Sequence, residues 1–181
     1  MVLISVTFFM MLNSCGDQTK KKAPEIPMKK FFKDPARSSY QISPNGNYFA
    51  FKAPYKDRLN LFVKKVGADT AKRITSETDR SIAGYFWANN NRLLYLKDKG
   101  GDENYVLHGV DRDGSNTEAL TDFEDVRTQI IDDLPDIEEE VIIGLNKRNP
   151  KVFDPYRLNV FTGEIKKLPD RIDEARRNIQ T

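Results

Sequence analysis

The chain has 181 residues, 39% hydrophobic and 31% charged, with 29 Lys and Arg against 27 Asp and Glu. This balance belongs to a folded chain rather than a disordered one, and a formal charge of +2 provides no global field to draw in nucleic acid or acidic substrates. A single Cys (Cys15) and a single His (His108) exclude a disulfide framework and a Cys/His zinc site, and any Ser-His or Cys-His catalysis would rest on His108 alone.

The first segment, Val2 to Leu12, is almost unbroken apolar sequence through Leu3, Ile4, Val6, Phe8, Phe9, Met10 and Met11. As a helix it would cover about 16 Å, half of a bilayer's hydrocarbon core, which is too short to span but has the length of a signal-peptide core. No Lys or Arg precedes it, in contrast to the usual signal pattern. Leu12-Asn13-Ser14-Cys15-Gly16 resembles a bacterial lipobox. Residues 1–15 are therefore expected to be a lipoprotein signal whose Cys15 accepts the lipid. The protein would then sit on a membrane of the cell envelope, facing the periplasm or the exterior. The alternative is that Cys15 closes a buried apolar strand as a free thiol. Residues 16–36, with Pro24, Pro27, Pro35 and six Lys before Asp34, read as a tether. Its Lys run could touch anionic lipid, although a solvated spacer is the plainer reading.

The body repeats one pattern three times. The first copy runs Tyr40 to Phe51, Leu59 to Val66, then Lys72-Arg-Ile-Thr75. The second runs Gly84 to Leu96, Asn104 to Val110, then Glu118-Ala-Leu-Thr121. The third runs Thr128 to Asp133, Glu140 to Leu145, Pro155 to Val160, then Ile165-Lys-Lys-Leu168. Thr75, Thr121 and Leu168 are 46 and 47 residues apart, within the period of about 40 to 50 residues for a four-stranded propeller blade.

Local chemistry supports strands at these places. Ser43-Pro44-Asn45-Gly46 supplies Pro for φ near −65° and Gly for positive φ, a turn between two antiparallel strands. Asn89-Asn90-Asn91 occupies the same place in the second copy, because Asn tolerates the left-handed region. Phe49, Phe51 and Ala53 share one strand face by period two, as do Leu94 and Leu96. The last strand of each copy is short and charged, as suits an outer edge that must not recruit further strands.

The expectation is an all-β chain: a partial β-propeller of about three four-stranded WD-like blades, near 37–76, 80–122 and 126–168. A β-sandwich also spaces short strands regularly, but three copies with the same internal order favour blades. Three blades do not close a ring, since propellers use four or more. The missing blades would come from another chain, or the gene product is truncated, which is the preferred account. Residues 169–181 read as a charged tail forming a short helix, with Ile172 and Ile179 on one side.

Several residues invite a functional reading. His108 lies in a strand between Leu107 and Gly109 and is expected to be structural or exposed. The acidic run Asp132, Asp133, Asp136, Glu138, Glu139 and Glu140 contains Pro135 but no Gly, so it lacks the bend of a calcium loop and reads as a solvated turn. Trp87 is expected between blades. Lys64, Lys65, Lys72, Arg73, Lys166 and Lys167 recur at blade edges, where solvation and edge protection explain them better than a nucleic-acid groove.

Ser43 to Phe51, Val110 to Asn116 and Ala119-Leu-Thr121 resemble the WD-like repeats of TolB and of the prolyl oligopeptidase family of serine peptidases. The stretch Gly144 to Gly163 is similar to the N-terminal propeller of the dipeptidyl aminopeptidase and acylaminoacyl-peptidase members of that family. The resemblance implies a propeller that filters peptide substrates for a C-terminal α/β-hydrolase domain carrying the triad and a Gly-x-Ser-x-Gly elbow. No Gly-x-Ser-x-Gly occurs in this sequence, and Gly114-Ser115-Asn116 reads as a turn between strands. The expectation is therefore a propeller fragment of an exported peptidase with no catalytic residue, metal or cofactor of its own. The alternative is a TolB-like lipoprotein that binds a protein partner. A sialidase-like propeller fits worse, because Ser43-Pro-Asn-Gly-Asn-Tyr48 is a poor Asp box.

Overall fold

The computed structural model describes residues 25–30 and 35–169. Residues 1–15, expected to be a signal ending at Cys15, together with much of the expected tether and residues 170–181 of the expected tail, lie outside the described residues. The chain divides into two units, 1–33 and 34–181. In the first, the described residues include a 3-10 turn at Met28–Lys30.

The second unit is built from three antiparallel four-stranded sheets, each a meander in chain order. Blade 1 holds β1 (Ser38–Ile42), β2 (Tyr48–Tyr55), β3 (Arg58–Lys65) and β4 (Lys72–Arg73). Blade 2 holds β5 (Gly84–Trp87), β6 (Arg92–Lys97), β7 (Val106–Asp111) and β8 (Glu118–Ala119). Blade 3 holds β9 (Thr128–Asp132), β10 (Glu140–Asn149), β11 (Val152–Asn159) and β12 (Ile165–Lys167). The all-β, three-blade expectation is met, and each blade ends in a strand of two or three residues.

The turns form where their chemistry places them. Gly46 takes φ 73° between β1 and β2, and Asn89 Oδ1 accepts the N–H groups of Asn91 and Arg92 at 2.9 Å between β5 and β6. Two hairpins are tighter than the sequence pattern suggests. β2 and β3 are joined by Lys56-Asp57 alone, both residues in the left-handed region at φ 48° and 61°. This is the backbone demanded by a two-residue hairpin, reached here without Gly or Asn. β10 and β11 likewise continue the ladder to Asn149↔Val152, so a segment that reads as a loop is a hairpin. Pro54 and Pro155 sit inside strands, where Pro ordinarily marks an end.

Burial explains the order of blades. Ala50, Leu61 and Val63 of blade 1 pack with Tyr85, Trp87, Leu93 and Tyr95 of blade 2 in one core. Leu94 and Leu107 of blade 2 pack with Val141, Ile143, Leu145 and Leu158 of blade 3 in another. Alternate residues of β6 thus serve opposite cores, so its run Leu93-Leu94-Tyr95-Leu96 is apolar throughout rather than alternating. Each fully buried Leu here contributes roughly 1.5–3 kcal/mol.

A recurring side-chain device closes the outer part of two blades. Thr75 Oγ1 accepts the Leu61 N–H at 2.9 Å in blade 1, and Thr121 Oγ1 accepts the Leu107 N–H at 2.8 Å in blade 2. Both hydroxyls are buried and replace ladder bonds that the short last strands do not supply.

Candidate functional site

The residues singled out by sequence fall into different environments. His108 is half-buried on β7, its ring stacked on Tyr95 with centroids 5.0 Å apart and planes at 12°. Burial pushes its pKa below the usual value, and Lys97 pushes in the same direction. Tyr95 in turn donates to Glu77 Oε1 at 3.0 Å, while Lys97 Nζ donates to Glu77 Oε2 at 2.6 Å. Burial raises the Tyr95 phenol well above its ordinary pKa, and Glu77 adds to the effect. This neighbourhood keeps His108 neutral and packed, consistent with a structural role.

Ser115 lies in the turn between β7 and β8, with its hydroxyl donating to Asp113 Oδ1 at 2.5 Å. A Ser in a strand-to-strand turn lacks the strand-to-helix setting of a nucleophile elbow. The acidic residues 132–139 are exposed in and beside the β9–β10 connection, and Glu140 pairs with Arg157. Among the described residues no group of three or more His, Cys, Asp or Glu is arranged to hold a metal ion. Trp87 is 8% exposed within the core between blades 1 and 2, as expected.

What the strands do assemble are two junctions between blades. At the first, Gln41 Nε2 donates to Tyr85 O at 2.8 Å, the Tyr85 hydroxyl donates to Ser39 O, and Asn45 N–H donates to Asn90 Oδ1 at 2.9 Å. At the second, Asn89 Nδ2 donates to Glu138 O at 2.9 Å. The connection between the first two strands of blade 1 is thus tied to its counterpart in blade 2, and that of blade 2 to its counterpart in blade 3.

Nearer the outer edges, matching positions repeat with their chemistry exchanged. The Tyr48 ring of blade 1 lies 4.5 Å from the Arg112 guanidinium of blade 2. In the next junction the cation comes first: Arg92 of blade 2 lies 5.6 Å from the Phe161 ring of blade 3. Each contact borders a cleft, of about 320 Å³ and about 300 Å³ respectively.

Arg92 is 1% exposed and joins three parts of the molecule. Its Nε donates to Val160 O at 2.5 Å, and Nη1 donates to Asp111 Oδ1 at 3.0 Å and Asn116 O at 3.2 Å. Nη2 pairs with Glu118. In the sequence this residue carries little sign of its role, because a charge beside a polar turn reads as solvated. The signal available was the run Arg92-Leu93-Leu94, which places it at the opening of a strand buried on both faces.

The geometry can be set beside known proteins. No protein-family model matches the chain. Dipeptidyl aminopeptidase BIII of Pseudoxanthomonas mexicana is 32% identical over 134 residues, which cover 73% of this chain and 19% of that protein. The chain therefore spans about a fifth of the length of that relative. Two solved structures share the fold. Putative TolB of Agrobacterium tumefaciens has a TM-score of 0.55 at 15% identity, over 76% of this chain and 50% of that one. The acylaminoacyl peptidase of Pyrococcus horikoshii has a TM-score of 0.54 at 16% identity, over 76% of this chain and 26% of that one. The resemblance read from Gly144 to Gly163 is borne out: by sequence the chain is related to dipeptidyl aminopeptidase, and by fold it is a stretch of β-propeller of the TolB and acylaminoacyl-peptidase kind.

Proposed function

We propose that this chain is the N-terminal, substrate-filtering propeller part of an exported serine peptidase and has no catalytic residues of its own. The observation that supports this reading most is the 32% identity to dipeptidyl aminopeptidase BIII over 134 residues, 73% of this chain. The neutral, packed His108 and the turn setting of Ser115 fit a non-catalytic role. The peptide substrate would be handled together with a hydrolase domain, and the propeller would act by limiting which chains reach it.

Two measurements test the proposal. The purified 181-residue chain is expected to release no chromophore from dipeptidyl or acylaminoacyl p-nitroanilides, and hydrolysis abolished by His108→Gln would overturn the non-catalytic assignment. Grafted in place of the matching stretch of the Pseudoxanthomonas enzyme, it is expected to give a chimera that cleaves short peptides much faster than casein. A chimera that digests casein as fast as peptides would remove the filtering role and favour a TolB-like scaffold that binds a protein partner.

We further propose that Cys15 carries a lipid and holds the protein on a membrane of the cell envelope, facing the periplasm or exterior, as the Leu12–Gly16 pattern supports. Expressed from Met1 in a bacterium, the chain is expected in the membrane fraction with acyl groups on Cys15, and Cys15→Ser in the soluble fraction. Equal partitioning of the two would exclude the anchor.

A further inference from the structure

A third cleft, of about 390 Å³, opens where loops of blades 1 and 2 meet. It is lined by Arg58 from the β2–β3 hairpin, Arg80, Ser81 and Ala83 from the β4–β5 connection, and Asp98 and Tyr105 from the β6–β7 connection. None of these residues takes part in the blade junctions described above.

The two guanidinium groups differ in how they are held. Arg58 donates from Nε to Asp79 O at 2.8 Å and from Nη1 to Asp57 O at 2.9 Å. Both acceptors are neutral carbonyls, so these bonds fix the group without cancelling its charge. The Asp79 carboxylate lies 3.4 Å from Lys97 Nζ, which it shares with Glu77 at 2.6 Å. Arg80 grips Asp98 with Nε at 3.0 Å and Nη2 at 3.1 Å, which neutralises it. That pairing holds the Asp98 carboxyl below the usual carboxylate range, so it stays ionised. The lining side chains, Arg58 and Arg80 against Asp98, therefore sum to one positive charge, on a guanidinium already oriented by main-chain acceptors.

Neutral donors stand in the same wall. Ser81 Oγ accepts the Leu59 N–H at 3.0 Å, which leaves its own proton to donate. The Tyr105 phenol lines the cleft, and its ring is braced by the Arg127 guanidinium at 5.3 Å. Gly101, at φ 91°, supplies a backbone conformation that side chains with a Cβ rarely adopt, and the Arg80 guanidinium lies beside it.

We infer that this cleft is a binding site for a single carboxylate group, held by Arg58 with the Ser81 and Tyr105 hydroxyls as supporting donors. A guanidinium matches the planar, two-oxygen geometry of a carboxylate, and one net positive charge matches a monoanion better than a phosphate dianion. The carboxylate could belong to a small free acid or to the end of a peptide chain. The site rests on the geometry of the cleft and does not depend on the peptidase reading.

The test is a titration of the full chain, followed by backbone amide shifts at Arg58, Ser81 and Tyr105. The probes are N-acetyl-tetra-alanine with a free carboxyl end, the same peptide as its C-terminal amide, sodium acetate and inorganic phosphate. The free acid is expected to bind at least about tenfold more tightly than the amide, the size of one charge-assisted hydrogen bond. Arg58→Gln is expected to remove that preference. Tyr105→Phe, which keeps the ring under Arg127, should weaken acid binding by about threefold. Acetate binding as tightly as the peptide acid would identify a free acid as the ligand, whereas much weaker acetate binding would identify a peptide end, and either supports the site. Equal binding of acid and amide, unchanged binding in both variants, or tighter binding of phosphate would overturn it.

Discussion

Arg92→Leu is expected to lower the unfolding free energy of the chain by about 3–5 kcal/mol, read from the urea midpoint at constant m-value. The effect is large because the substitution breaks a buried ion pair rather than removing a surface charge. Asp111, itself 8% exposed, would lose its guanidinium partner and keep only the Asn116 amide at 2.9 Å. Val160 O, a carbonyl of blade 3, would lose its donor in a place that excludes water. Glu118 is 45% exposed at its side chain and can be hydrated, so its share of the loss is small. The double variant Arg92→Leu/Asp111→Asn separates these contributions, since it removes the stranded charge and should recover part of the stability. A single-variant loss below about 1 kcal/mol would show that Arg92 is dispensable to the junction of blades 2 and 3.

How much of this was legible in sequence depends on the range over which each feature is determined. The turn at Ser43–Gly46 is specified by its own residues, because Pro and Gly fix the backbone angles that a strand reversal needs. The blade period is legible for the same reason: Thr75 and Thr121 each cap a third strand from a distance of 14 residues, and that spacing recurs. The Lys56-Asp57 hairpin was not legible, because neither residue advertises positive φ and the neighbouring Pro54 suggests a strand end. Arg92 was illegible in a stronger sense. Its partners lie 19, 24, 26 and 68 residues away, and only the docking of blade 3 turns a charge beside a polar turn into a buried clamp. The Arg58 cleft is assembled from three connections of two blades, so no local pattern announces it. The repeats encode the blades locally, whereas the sites that could bind or clamp arise from how blades are stacked.

Gly109 shows the same point from the other side, and Gly109→Ala is expected to cost about 1–3 kcal/mol. Read alone, a Gly inside strand β7 is a weak point, and Ala would ordinarily gain roughly 0.5–1 kcal/mol in its place. The structure reverses that sign. A Cβ at Gly109 would stand 2.5 Å from Arg92 Nη2, 2.8 Å from Cζ and 3.0 Å from Nε. The guanidinium cannot step aside, because Val160 O, Asp111, Asn116 O and Glu118 hold it from several directions. Gly109 is thus the recess into which the Arg92 head group fits. The consequence is a coupling that a double-mutant cycle can measure: in the Arg92→Leu background the crowded atoms are gone, so Gly109→Ala should become neutral or stabilising. The interaction energy between the two positions should exceed about 1 kcal/mol. Additive losses would mean that Gly109 is needed for a reason other than Arg92, and the clamp would then have to be assigned to Asp111 and the backbone alone.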